Sequence, residues 1–313
     1  MREALAAPAR AATTPRHLLS PADLPRPLMD ELLDRALAFE LGGVDEPRQG
    51  RILATIFYEP STRTRFSFEA AMHRLGGQVL SAESAGKASS AAKGESIEDA
   101  IRVISGYTDA IVIRHPEIGA ADRAALAATV PVINAGDGAG HHPTQALLDL
   151  YTIRKELGRL DRLRVALVGD LRHGRTVRSL ASLLARFPDN ELVLVSPPGL
   201  RLGDEIHAEL GDTRVEETTD LDDVVPSVDV LYQTRIQAER FESLEAYERY
   251  RGVYVVTPET MRRLPEHALL MHPLPRVGEI DPQVDSDPRA AYFRQTRNGL
   301  WIRMAVLDWA LGA

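Results

Sequence analysis

Apolar positions recur along this chain in two periods. Short runs rich in β-branched residues alternate with longer stretches whose apolar positions return every three or four residues, the signatures of buried strands and amphipathic helices. Arg51-Ile52-Leu53-Ala54-Thr55-Ile56-Phe57 predicts a buried strand. Pro60 stops it, and Ser61 or Thr62 offers an N-cap hydroxyl. Phe66, Ala70, Met72 and Leu75 then give the apolar face of a helix that Gly76-Gly77 ends. Upstream, the start signal Ser20-Pro21-Ala22-Asp23 precedes Leu28, Leu32, Leu33 and Ala36, a core-facing helix within His17 to Ala38. Downstream, the spacing predicts a helix over Glu95 to Tyr107, a strand at Ala110–Ile113, a strand and its turn over Val130–Gly138, and a helix from Ala146 to Leu157. A strand at Leu163–Val168, a helix from Val177 to Phe187, a strand at 192–195, a helix over 203–210 and a strand at 228–232 follow. A strand from Leu269 runs into a proline-fixed loop, and the last helix, Leu300 to Leu311, is amphipathic. Strand–helix alternation in two successive halves predicts parallel sheets with helices on both faces, an α/β fold of two doubly wound domains.

One stretch fits neither period. Ser81 to Ser96 (SAESAGKASSAAKGES) is small, polar and glycine-containing, with Lys87 and Lys93 as its only cations. No core can be built from it, so it reads as a mobile surface loop, either a lid that closes on substrate or a plain linker.

The chemistry sits at predicted strand ends. Ser61, Thr62, Arg63 and Thr64 fall where a strand hands over to a helix N-terminus, a place that binds phosphate or carboxylate through free N–H groups. The bland alternative is a capped helix with surface arginines. No glycine-rich run with a Lys-Ser or Lys-Thr pair makes it a Walker loop. Arg114, Arg175 and Arg235 likewise follow strands, and in such sheets ligands bind outside the strands' carboxyl ends, here a cleft between the halves. The adjacent His141 and His142 lack the spacing and carboxylate partner of a metal motif; a neutral histidine at a helix start suits hydrogen-bond donation. The formal net charge of −8 argues against general nucleic-acid binding and makes any anion site a local concentration of cations. The chain has no cysteine, which excludes disulfides, thiolate metal sites and a cysteine nucleophile, and fits a reducing, cytoplasmic setting. No apolar run approaches the roughly 18 residues of a membrane span. Residues 1–15, Ala- and Arg-rich, read as a disordered extension.

Seven motifs stand in one order: Ser61-Thr62-Arg63-Thr64-Arg65, Lys93-Gly94-Glu95, Arg114-His115-Pro116, His142-Pro143-Thr144-Gln145, Asp170 with Gly174-Arg175-Thr176, Thr234-Arg235-Ile236-Gln237 and His272-Pro273-Leu274-Pro275-Arg276. In order and approximate spacing the chain resembles the aspartate carbamoyltransferase catalytic chain, from about His17 to the C-terminus. The resemblance implies a carbamoyl-phosphate-binding domain over 16–145, completed by a C-terminal helix at 296–313, and an aspartate-binding domain over 146–295. It implies that Ser61, Thr62, Arg63 and Thr64 cradle carbamoyl phosphate, that Arg114, His142 and Thr64 polarise its carbonyl, and that Gln145 with the carbonyls of Pro273 and Leu274 holds its nitrogen. Arg175, Arg235 and Gln237 would clamp the aspartate carboxylates. Ser89 and Lys93 match a loop that, in the family, enters the neighbouring subunit's site, so Lys93 would be catalytic and the assembly a homotrimer with shared sites. No cofactor or metal is implied. A regulatory chain or another pyrimidine-pathway enzyme is a further partner the family allows. Ala92, where some members carry a second lysine, and His173, where the allosteric members carry tyrosine, depart from the pattern; the second puts allosteric regulation in doubt, not catalysis.

Particular residues separate this reading from three rivals. An ornithine carbamoyltransferase would carry a cysteine where Pro273 stands, and Arg235 with Gln237 would repel an ornithine ammonium. A dinucleotide oxidoreductase would show a Gly-x-Gly-x-x-Gly turn, which Gly169 and Gly174 do not supply. A non-catalytic homologue would lack one of Arg63, Lys93, Arg114 or His142, and all four are present.

Overall fold

The computed structural model describes residues 14–44, 46–85, 94–237 and 241–312. The expected extension at 1–15 therefore lies almost wholly outside the described residues, as do Ser89 and Lys93.

Two parallel sheets form. The first comprises β1 (Ile52–Phe57), β2 (Gln78–Glu83), β3 (Ala110–His115) and β4 (Val132–Asp137) in the order β2-β1-β3-β4. The second comprises β5 (Arg164–Val168), β6 (Glu191–Val195), β7 (Arg214–Thr218), β8 (Val230–Gln233) and β9 (Leu269–Met271) in the order β7-β6-β5-β8-β9. In each sheet the first strand lies inside, and the chain winds outward to one edge before reversing. The reversal falls between β1 and β3 in the first sheet and between β5 and β8 in the second.

Side-chain alternation explains the layers. Leu53 and Phe57 of β1 face one apolar cluster, and Ala54 and Ile56 face another. Val165 and Leu167 of β5 join the same cluster as Leu53 and Phe57, whereas Ala166 and Val168 face a third. The shared cluster therefore runs from one sheet to the other. The helix Tyr292–Leu311 contributes Ile302, Ala305 and Val306 to it and packs on the helices Arg26–Glu40, Thr62–Arg74 and Pro143–Leu157.

Two strands escaped the sequence pattern. β2 and β7 are edge strands, paired on one side only, and largely exposed. Such strands need no apolar run. Ser81, Ala82 and Glu83, expected to open the polar loop, belong to β2. The last helix also starts earlier than expected, at Tyr292, because its first turns bury polar Gln295 and Asn298 rather than an apolar stripe.

Gly169 ends β5 with φ +118°, and a Cβ there would come within 2.5 Å of the Thr234 carbonyl oxygen. Only glycine lets the ends of β5 and β8 approach this closely. Gly169→Ala is expected to cost about 2–3 kcal/mol of stability, read as a lower denaturation midpoint in urea with an unchanged slope.

Candidate active site

The four strand-end arginines meet. Arg63 follows β1, Arg114 lies in β3, Arg175 opens the helix after β5, and Arg235 follows β8. All four line one cavity of about 690 Å³. Its wall also includes Ser61, Thr62, Thr64, His142, Gln145, Gln237, Pro273 and Leu274. Every predicted site residue among the described residues therefore borders the same space.

The helix Thr62–Arg74 starts at the cavity without a side-chain cap. Ser61 holds the N-cap position, yet its hydroxyl accepts from Arg114 Nη1 at 3.1 Å. The expected N-cap bond from Ser61 or Thr62 is absent because that hydroxyl serves the arginine instead. The first N–H groups of the helix are thereby left for an anion.

Charge is crowded here. Burial, then Arg175, pulls the Arg114 guanidinium down to about 9, against the opposing pull of Glu59. Burial and then Arg235 lower Arg63, an influence of one half of the molecule on the other. Glu59 Oε2 lies 3.4 Å from Arg114 Nε and 3.6 Å from Arg175 Nη1, between the two guanidiniums. Arg175 Nη1 also donates to the Gly138 carbonyl at 2.9 Å. Gly136 makes room for it, since a Cβ there would come within 2.9 Å of the guanidinium carbon.

His142 is the N-cap residue of Pro143–Leu157 and is buried. Its backbone N–H donates to Ser179 Oγ at 2.9 Å, and its Nδ1 has no hydrogen-bond partner. Burial, then Arg175, Arg114 and Arg303, hold its pKa well below the usual 6.5. The ring is therefore neutral and able to donate one N–H to an oxygen in the cavity. Gln237 Nε2 reaches the His173 carbonyl at 3.4 Å. Leu274, at φ +52°, donates its N–H to His272 Nδ1 at 2.8 Å, which fixes the turn carrying the Pro273 and Leu274 carbonyls. Among the described residues, no group of three or more His, Cys, Asp or Glu side chains is placed to hold a metal ion, and no helix is long and apolar enough to cross a membrane.

Sequence reasoning missed four residues that shape this space: Glu59, Asp149, Gln295 and Arg303. Asp149 and Arg303 are buried, and Arg303 borders the cavity with its guanidinium over the Phe68 ring at 5.1 Å. The available signal was a lone carboxylate inside the apolar helical run Ala146 to Ile153.

Such a cavity can bind two anions side by side and place a neutral donor and a guanidinium on one developing oxyanion. The chain is similar to known proteins over most of its length. A family model described as aspartate/ornithine carbamoyltransferase, carbamoyl-P binding domain, matches residues 16–155, and its Asp/Orn binding domain counterpart matches residues 161–310. A chloroplastic aspartate carbamoyltransferase from Oryza sativa subsp. japonica is 56% identical over 284 residues, covering 90% of this chain and 78% of the relative. An aspartate carbamoyltransferase catalytic subunit from Methanopyrus kandleri is 52% identical over 308 residues, covering 95% and 97%. The crystal structure of aspartate transcarbamoylase from Trypanosoma cruzi in complex with carbamoyl phosphate and aspartate superposes with a TM-score of 0.89 at 40% identity, covering 96% of this chain and 98% of that one.

The depressed pKa of His142 fixes the sign of one pH effect. As pH falls below about 6.5, the unfolded imidazole takes up a proton before the buried one, so stability declines from there downward. His142→Gln is expected to remove part of that acid-side decline, measured as denaturation midpoint against pH.

Proposed function

The chain belongs to the aspartate/ornithine carbamoyltransferase family, and we infer that it transfers the carbamoyl group of carbamoyl phosphate to the amine of L-aspartate, giving N-carbamoyl-L-aspartate and phosphate. The observation that carries the residue assignment is the meeting of Arg63, Arg114, Arg175 and Arg235 with a neutral His142 around one cavity. Phosphate sits on the uncapped helix start, Ser61 to Thr64, with Arg63 as its cation. Gln145 and the carbonyls of Pro273 and Leu274 receive the carbamoyl amine. The two carboxylates of aspartate pair with Arg175, Arg235 and Gln237.

The aspartate amine attacks the carbamoyl carbon. Negative charge develops on the carbonyl oxygen, where Arg114, His142 and Thr64 donate. The carbon–oxygen bond to phosphate breaks, phosphate departs with the bonding pair, and it takes up the proton that the amine loses. His142 is suited to this work because it is neutral: an imidazolium among the arginines would add repulsion, whereas a neutral ring adds only a donor. The arginines also align two anions that repel each other in solution.

We further propose the finer points. The residues 16–145 with the C-terminal helix form the carbamoyl-phosphate half and 146–295 the aspartate half, supported by the two separate sheets. The working unit is a homotrimer with shared sites, to which Lys93 of one subunit contributes in another. The reaction serves pyrimidine synthesis in the cytoplasm, and a regulatory chain or another enzyme of that route is a further partner.

Purified protein is expected to carbamoylate L-aspartate and not L-ornithine. Arg235→Ala is expected to raise the aspartate KM roughly 10- to 100-fold with a smaller effect on carbamoyl phosphate. Product from ornithine would overturn the assignment of Arg235 and Gln237. Lys93→Ala and Arg63→Ala proteins are each expected to be nearly inactive and to regain activity when mixed. No recovery after verified subunit exchange would sink the shared site.

A further inference from the structure

Behind the cavity lies a buried carboxylate that the reaction scheme does not use. Asp149 is inaccessible to solvent and stands on the helix Pro143–Leu157, one turn after Gln145. Its Oδ1 accepts from Gln145 Nε2 at 2.9 Å and from Gln295 Nε2 at 2.7 Å, and its Oδ2 accepts from the Tyr232 hydroxyl at 2.8 Å. Gln295 in turn accepts the His272 N–H on its Oε1 at 3.0 Å. His272 is the residue before Pro273, and its ring holds the Leu274 N–H.

A carboxylate oxygen that receives two amides settles which end of each amide faces it. Gln145 must turn its NH₂ toward Asp149, so its Oε1 is left as the end available to the cavity it borders. Gln295 must turn its oxygen toward the His272 N–H. One buried group thereby governs two walls of the same corner.

We propose that Asp149 is the positioning residue for the carbamoyl amine: it aims Gln145 Oε1 into the cavity as an acceptor and, through Gln295, sets the turn whose Pro273 and Leu274 carbonyls supply the other acceptors. The proposal rests on the reading of this cavity as a carbamoyl-phosphate site. It makes the corner an array of acceptors, selective for a ligand with an N–H₂ over the same ligand carrying a methyl group. Burial pushes the Asp149 carboxyl up to about 7 against its three donors. Protonation on Oδ2 leaves Oδ1 accepting from both amides, so their orientation is the same in either form.

The test compares carbamoyl phosphate as substrate with acetyl phosphate, its methyl counterpart, as competitive inhibitor. Asp149→Leu is expected to lower kcat/KM for carbamoyl phosphate about 30-fold or more while changing the acetyl phosphate inhibition constant less than about threefold. Asp149→Asn keeps an Oδ1 for both amides and offers an N–H to the Tyr232 oxygen, so it is expected to recover most of the loss. Equal losses for both ligands, an Asn variant as poor as Leu, or a Leu variant that keeps wild-type selectivity would each overturn the proposal. Should the Leu variant not fold, Gln295→Leu removes the link from Asp149 to the His272 N–H and leaves the Gln145–Asp149 bond in place; a selective loss for carbamoyl phosphate supports the proposal, and unchanged kcat/KM overturns it. Wild-type protein inactive with carbamoyl phosphate would instead remove the reading of the site, and the proposal with it.

Discussion

Four guanidiniums held in one cleft repel each other, and the cleft is built around that repulsion. Arg114 is pulled down to about 9 by burial and by Arg175, and Arg63 is lowered by burial and by Arg235. Glu59 between Arg114 and Arg175, the Ser61 hydroxyl and the Gly138 carbonyl offset part of the cost. The remainder is offset by ligands that are themselves polyanions. In the proposed reaction an acyl phosphate and a dicarboxylate supply the charge that the protein withholds, in a chain whose overall charge is −8. Burial, with the same field, keeps His142 neutral, and in the proposed mechanism neutrality lets it donate to a forming oxyanion without adding to the crowd.

The fold delivers these charges by repetition. Arg63 and Arg114 come from β1 and β3, neighbours at the reversal of the first sheet, and Arg175 and Arg235 follow β5 and β8, neighbours at the reversal of the second. A reversal leaves a gap at the strands' carboxyl ends because the flanking helices diverge to opposite faces. Two such gaps facing each other make a site for two ligands, and neither sheet alone holds the full set. The apolar cluster shared by both sheets fixes their relation beneath the charges.

Much of this was legible in the sequence because it follows from position. Buried strands announce themselves as β-branched runs, and a cation just past such a run is placed by the sheet whatever its neighbours. β2 and β7 were not legible, since an edge strand pairs on one side and keeps polar residues such as Gln78 and Glu216. Ser61 takes the N-cap position that the sequence predicts, but its capping bond was a local inference that a distant partner, Arg114, displaces. Asp149, Gln295 and Arg303 were missed for a related reason. Their partners lie far along the chain, and helical spacing assigns each simply to a helix face.

The buried polar group behind the site raises the question of why it persists. Asp149 and Arg303 are each other's principal opposing charge, and burial disfavours the ionised form of both: Asp149 is raised to about 7 and Arg303 lowered to about 10. An apolar replacement of similar volume commonly matches such an arrangement in stability. What it cannot match is direction. Two glutamine amides, each able to turn either way, are held with defined ends toward the cavity and toward His272 by one oxygen, Asp149 Oδ1, that accepts from both whether or not Oδ2 carries a proton. The role of Asp149 therefore lies in what it aims, and its cost in burial is the cost of that orientation.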